Sequence, residues 1–274
     1  MALVSDRRLT WSDGRQGDTD TKTFNLFGQF LMGFTGLARL DRLRMERWVA
    51  DMLIRVPTDE YFNVLAREIG AAFDRLRHSG KIPHAFLATG YARLQPGGRV
   101  HPMNVIISNS IDSDGNFSVS ALQREFTVFI EPLGNRRQLV RSVGWPMPSQ
   151  VTKILEHKIR VVTKADPPNP ERAAGPLVYA LRETAQKSQK HVGKAALFAS
   201  LPRCIVPSPM IITGPMGDLD FRRQAVALYL PDEVRNPRDA TVYVPALITP
   251  QLKVIGLKLY AGAPRQPIGR REGY

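Results

Sequence analysis

The chain has 274 residues, 43% of them hydrophobic and 23% charged, enough to bury the core of one large domain or two small ones. No apolar run approaches the roughly 18 residues of a membrane helix, Met1 to Arg8 lack the basic-then-apolar order of a signal peptide, and Cys204, the only cysteine, excludes internal disulfides and all-cysteine metal sites and suits a reducing cytoplasm. The formal net charge of +13 is spread along the chain without zinc-finger spacing, a glycine-rich phosphate loop or an aromatic RNA-binding signature, so a generally basic surface is expected rather than a nucleic-acid reader.

The first forty residues read as extended segments joined by a polar turn. Leu3-Val4 opens an apolar run that continues through Asp6 to Thr10, and Asp13-Gly14 and Gly17-Asp18 signal turns. Thr23 to Phe27 and Phe30 to Phe34 predict two more strands, with Gly28 between them as a tight hairpin requires. Helical spacing follows: Leu40, Leu43, Trp48, Met52 and Val56 share one face. Pro57-Thr58-Asp59-Glu60 gives a stop, an N-cap and an acidic first turn for a second helix, whose core positions are Phe62, Leu65, Ile69, Phe73 and Leu76 and whose end is Ser79-Gly80.

From about Pro83 to Val143 the pattern is β. Ala85 to Tyr91, Met103 to Ser108, Phe126 to Ile130 and Leu139 to Val143 are expected strands, separated by turns at Pro96-Gly97-Gly98, Asp112 to Asn116 and Gly134-Asn135. A third helix is predicted from Ser149, with Val151, Ile154, Leu155, Ile159 and Val162 inward, stopping before Pro167-Pro168. A fourth ends near Ser188, its start disturbed by Gly175-Pro176. Ala195 to Leu201 reads as a strand, and residues 207–274 as a proline-rich extension packed on a 1–206 domain. Within that extension lie strand candidates at Ala225 to Leu230, Ala240 to Val244 and Val254 to Leu259, and the chain ends in a loose basic tail. The order of elements fits an α+β protein, an αββα four-layer sandwich of two antiparallel sheets with a helix pair on each outer side.

The opening segments carry a resemblance. Leu3-Val4-Ser5-Asp6-Arg7-Arg8-Leu9-Thr10, Lys22-Thr23-Phe24-Asn25-Leu26 and Gly33-Phe34-Thr35-Gly36-Leu37-Ala38 resemble the start of proteasome β subunits and their bacterial relatives, members of the N-terminal-nucleophile (Ntn) hydrolase superfamily. In that family a strand ends in Ala-Asp-x-Arg-x-Thr, a Lys begins a later strand and a Ser/Thr-Gly pair precedes the first helix. The separations from Asp6 to Lys22 and from Lys22 to Gly36 match. The order of elements extends the likeness over roughly residues 1–203.

What the resemblance implies is a hydrolytic site. An N-terminal Thr, Ser or Cys attacks a carbonyl with its own α-amine as base, a Lys eases formation of the alkoxide, an Asp holds that Lys, and a backbone N–H at a tight Gly stabilises the oxyanion. By resemblance Lys22 is the activating lysine, Asp6 its partner and Gly36 the oxyanion donor, with no cofactor and no metal. The same residues also read as an ordinary ion pair, a solvated lysine and a helix entry.

Two departures follow. The nucleophile belongs on the strand of Asp6, upstream of Met1, and removal of Met1 exposes Ala2, which has no nucleophilic group; Ser5, Thr10 and Cys204 are nucleophile types inside the chain. After the fourth helix, where active subunits carry an Asp and a Ser-Gly, this chain has His191-Val192-Gly193, and Gly144-Trp145-Pro146 stands where a Gly-Ser loop is expected. Three functions remain open: a non-catalytic Ntn-fold protein acting through homo-oligomeric assembly, an active threonine-type peptidase or amide hydrolase with a further strand before Met1, and a basic scaffold for nucleic acid or an acidic partner.

Overall fold

The computed structural model describes residues 1–201 except 7, 11–15, 18–21, 27–28, 54–59, 94–99, 137, 165–169 and 189–190, and beyond 201 the segments 226–230, 241–243, 246–248 and 254–255. The strands β1 (Ala2–Asp6), β2 (Leu9–Thr10), β3 (Gln16–Gly17), β4 (Thr23–Leu26) and β5 (Phe30–Thr35) come first. A small hairpin of β6 (Arg39–Leu40) and β7 (Leu43–Arg44) leads into the helices α1 (Met45–Leu53) and α2 (Tyr61–Arg75). Strands β8 (Ala85–Arg93), β9 (Val100–Ser108) and β10 (Thr127–Pro132) precede α3 (Ser149–Thr163) and α4 (Ala174–Ser188). Strands β11 (Ala196–Ser200), β12 (Val226–Leu230), β13 (Thr241–Tyr243), β14 (Ala246–Ile248) and β15 (Val254–Ile255) complete the described chain.

Seven strands form one sheet in the order β10-β9-β8-β5-β4-β14-β15, and four form another in the order β1-β11-β12-β13. The protein is thus mixed α+β with mainly antiparallel sheets. The exception is β14, which runs parallel to β4 with Ala246 opposite Phe24. Strands within 207–274 therefore enter both sheets; the rest of that segment, with its basic tail, lies outside the described residues. Among the described residues no helix is long and apolar enough to cross a membrane.

The large sheet is apolar on both faces, which is why its strands read as continuous hydrophobic runs rather than alternating ones. Along β5, Phe30, Met32 and Phe34 point to one side, where they pack with Val49, Leu65, Ile69 and Phe73 of α1 and α2. Leu31 points to the other side, with Leu87 and Ile106, and meets Leu3, Leu197 and Ala199 of the small sheet. The opposite face of β11 carries Phe198 and Ala196 against Ala174 and Val178 of α4, while Val151 and Leu155 of α3 meet Ala180. At about 25 cal/mol per Å² of apolar surface removed from water, these three faces supply the main driving force for folding.

Three expectations need correction. Leu40 and Leu43 precede the first helix instead of belonging to it. Asp41 and Arg42 have φ of 48° and 67°, so the chain makes a two-residue hairpin turn there, and the helix begins only at Met45. Leu139 to Val143 forms no strand: Val140 packs against the α3–α4 cluster and Gln138 Nε2 donates to Glu156 O, so the run gains its burial from a helix. The second helix ends earlier than Ser79-Gly80, because Arg77, at φ 57°, already leaves the helical region. The Gly28 turn, Thr58-Asp59 and Pro96-Gly97-Gly98 lie outside the described residues.

Gly90 in β8 is where backbone meets backbone. A Cβ there would stand 2.1 Å from Gln29 O and 2.6 Å from the Phe30 ring, next to the bond in which Tyr91 N–H donates to Gln29 O. Gly90→Ala is expected to destabilise the protein by about 3 kcal/mol, the upper range of overpacking. Gly175→Ala, with nothing within 4 Å, is expected to stabilise it by up to about 1 kcal/mol. Urea denaturation of the two variants checks both signs.

Candidate functional site

Asp6 closes β1 in the small sheet and Lys22 stands immediately before β4 in the large one, so their meeting depends on how the two sheets stack. They do meet: Lys22 Nζ lies 2.9 Å from Asp6 Oδ1, with the two side chains 10% and 17% exposed. The other face of the junction is polar too, since Ser5 and Thr23 share a hydrogen bond of 2.8 Å between their hydroxyls. Asp6 Oδ1 also accepts the Arg8 N–H at 2.7 Å, which turns the chain away after β1. Gly33 permits the approach: its missing side chain would stand 3.2 Å from Leu3 Cδ2.

Gly36 belongs to the same end of the large sheet. Phe34 N–H donates to Lys22 O at 3.2 Å, and Gly36 follows two residues later at φ 98°. That conformation suits glycine alone, and a Cβ would meet Pro83 O at 2.7 Å. Gly36 is exposed, and among the described residues no acceptor takes its N–H.

Two further loops complete this end of the molecule. Gly144, at φ 98°, presses on Thr35, the residue before Gly36, with a virtual Cβ at 3.0 Å from Thr35 Oγ1. Trp145 stacks on His191, ring centroids 4.1 Å apart and planes 8° from parallel. Val192 N–H donates to Ser188 Oγ at 3.1 Å, which ties the 191–193 loop to the end of α4. Segments 35–37, 144–145 and 191–192, far apart in sequence, are thus linked in space.

The free α-amine of the 1–274 polypeptide lies elsewhere. Met1 N donates to Leu201 O at 2.8 Å and to the Tyr91 hydroxyl at 3.4 Å, at the Ala2 end of β1, and burial pulls it down to about 6. Five strand residues separate it from Lys22, roughly 16 Å at 3.3 Å per residue. The side chain of Thr10 and all of Cys204 lie outside the described residues. Among the described residues no cluster of three His, Cys, Asp or Glu is arranged to hold a metal.

His84 is a site residue that sequence reading missed. It is fully buried at the start of β8, within ring distance of Phe34, Phe73, Phe86 and Phe126. Its Nδ1 accepts the Leu37 N–H at 3.1 Å, beside Gly36, and its Nε2 has no partner. Burial lowers it to about 3. The available signal was a histidine between Pro83 and the apolar run Ala85-Phe86-Leu87, where a charged or solvated side chain has no place.

In the basic stretch 136–160 some cations are engaged and others, Lys153 and Arg160, are exposed. Arg136 and Arg141 both bind Glu131, and Lys158 Nζ lies 4.3 Å over the Tyr179 ring. Burial works to raise the Glu131 carboxyl, but hydrogen bonds from Arg141 and Arg136 outweigh it and hold the group below its ordinary range. Arg137 and the basic residues from Lys253 onward lie outside the described residues. Comparison with known proteins adds no family: no family model matches the chain, and no curated protein sequence matches it.

Two outcomes test this geometry. Asp6→Asn or Lys22→Met alone strands a poorly hydrated charge or donor, and each is expected to cost toward the lower end of the roughly 3–5 kcal/mol seen when buried pairs are broken. The Asp6→Leu/Lys22→Met double variant is expected to recover much of that loss in a urea double-mutant cycle. For His84, the folded value lies below the unfolded one near 6.5, so the unfolded chain takes up a proton that the folded chain refuses. Stability is therefore full above about pH 7 and falls as pH drops from about 6.5 toward 3, by about 3 kcal/mol at pH 4.5. His84→Asn is expected to remove that share of the acid sensitivity in denaturation measured at both pH values.

Proposed function

We propose that this protein is an Ntn-hydrolase-like subunit of the proteasome β type, built as an αββα four-layer sandwich, and that the Met1–Tyr274 polypeptide acts through self-assembly rather than turnover. The observation that carries the reading is the Asp6–Lys22 pair at 2.9 Å, formed between two sheets at the end where the Gly36 turn leaves an N–H free. Three apolar interfaces, helix pair to sheet, sheet to sheet and sheet to helix pair, support the layering. On this reading Lys22 is the group that lowers the cost of an alkoxide, Asp6 orients it, and Gly36 N–H receives the oxyanion.

A lysine, a carboxylate and an N–H stabilise an attack without making one. Among the described residues the hydroxyls next to Asp6 and Lys22 in the chain, Ser5 and Thr23, are bonded to each other at 2.8 Å. The supporting loops hold Gly144-Trp145 and His191 rather than hydroxyl and carboxylate groups. Self-assembly rests on the likeness to ring-forming subunits.

The second reading, an active threonine-type hydrolase of peptide or amide substrates, is favoured by one observation. In the small sheet β1 is an end strand, and among the described residues its edge away from β11 has no partner. A strand added there places its residues beside the Asp6–Lys22 pair.

The recombinant 1–274 chain is expected to hydrolyse no amide or peptide substrate and to scatter light as an oligomer at moderate salt. An added upstream strand beginning with Thr is expected to create turnover that Lys22→Ala abolishes, by 100-fold or more on the scale of about 10²–10⁴ for acid–base groups. Turnover by the 1–274 chain that survives Lys22→Ala would remove Lys22 from the site, and a strict monomer over a wide concentration range would remove assembly.

A further inference from the structure

Among the described residues, the side chain that hydrogen-bonds the Gly36 turn is His84, buried behind it. Gly36 lies directly on the backbone of residues 83 and 84: a virtual Cβ stands 2.7 Å from Pro83 O and 3.1 Å from His84 Cα. The next peptide, between Gly36 and Leu37, is held by the Leu37 N–H donating to His84 Nδ1 at 3.1 Å. A nitrogen that accepts this bond carries no proton, so the imidazole is neutral with its hydrogen on Nε2. That Nε2 is buried and has no hydrogen-bond partner. Its surroundings are aromatic: Phe34 lies stacked at 6.3 Å and 19°, and Phe73, Phe86 and Phe126 stand around the ring at 5.6, 4.9 and 6.2 Å.

Packing alone does not account for a histidine here. A phenylalanine fills the same box of rings without leaving a polar atom buried and unpaired. The property that histidine has and phenylalanine lacks is the acceptor on the side facing Leu37. The backbone of residue 84 is itself fixed with unusual completeness. His84 N–H donates to Asn109 Oδ1 at 2.8 Å, and His84 O accepts both Ser108 Oγ at 2.8 Å and Asn109 N–H at 3.3 Å. Asn109 Nδ2 donates to Ile82 O at 2.9 Å, and Ser108 Oγ accepts Ser110 N–H. The imidazole thus cannot shift to follow the turn; the turn must follow the imidazole.

We infer that His84 is a positioning residue, which fixes the Gly36–Leu37 peptide by taking the Leu37 N–H and so sets the direction of the neighbouring Gly36 N–H, which no described residue accepts. That this donor serves an oxyanion rests on the proposed hydrolase-like reading; that His84 sets its direction does not. Neutral, desolvated and wedged among rings, the acceptor holds one orientation, whereas water at the same place would exchange and let the peptide rotate.

The test is amide hydrogen exchange and ¹⁵N spectroscopy on the full 1–274 chain, with no turnover among the readouts. In His84→Phe, which keeps the ring and removes the acceptor, the Leu37 amide is expected to exchange at least 10-fold faster, while Phe86 and Ile107 amides are unchanged. His84→Asn, whose Oδ1 reaches the place of Nδ1, is expected to keep Leu37 protection within about 3-fold. Unchanged Leu37 protection in His84→Phe overturns the inference and leaves His84 as a core filler. If His84→Phe fails to fold, the imidazole ¹⁵N spectrum of the unaltered chain decides: a proton on Nε2 supports the inference, and a proton on Nδ1 overturns it.

Discussion

Two sheets can stack at many relative shifts, and in this protein one polar contact at the end of the stack selects among them. Asp6 arrives on the small sheet and Lys22 on the large one, and a charge pair only 10% and 17% exposed tolerates little displacement before each partner loses the other without gaining water. The side chains that flank it obey the same constraint. Leu3 slides over Gly33, where the lack of a side chain sets the spacing, and Ser5 and Thr23 satisfy one another across the gap. The apolar contacts of Leu31, Leu87, Ile106 and Leu197 further along supply most of the attraction but are less demanding in register.

From that fixed end the remaining polar architecture follows outward. Lys22 O holds Phe34 N–H, β5 runs on to Thr35, and the chain can turn at Gly36 only because no Cβ competes with Pro83 O. His84 then captures the next N–H from inside, and Gly144 covers Thr35 from outside. What results is a poorly exposed ion pair and an exposed glycine turn held at one end of the large sheet. Trp145 and His191 link the neighbouring loops through a stacked ring contact.

The basic residues of the chain differ in their surroundings. In the stretch richest in cations, Arg136 and Arg141 share the one carboxylate of Glu131 and Lys158 lies over an aromatic face. A nucleic-acid surface needs arginines and lysines pointing outward in a continuous track. In this segment Arg136, Arg141 and Lys158 have partners of their own, while Lys153 and Arg160 are exposed.

Local sequence determined much of the scaffold. The spacing of Leu65, Ile69 and Phe73 and the run Val105-Ile106-Ile107 specify a helix and a doubly buried strand through periodicity that neighbours alone impose, and both formed where expected. Asp6 and Lys22 were singled out through the resemblance of their motifs, and their 2.9 Å contact is set by the stacking of two different sheets. Where local pattern was ambiguous, tertiary contact decided. Leu139 to Val143 has strand alternation but found a helix instead of a ladder, and Leu40 and Leu43 have helical spacing but flank a left-handed turn at Asp41-Arg42. Neither His84 nor the Glu131 pairings could be read from the chain, since the meaning of a buried imidazole or carboxylate lies in which distant N–H or guanidinium reaches it. That choice belongs to the stacking of sheets and helices, because a hydrogen bond acts over 3 Å in space and leaves no trace in sequence spacing when its partners are 47 residues apart.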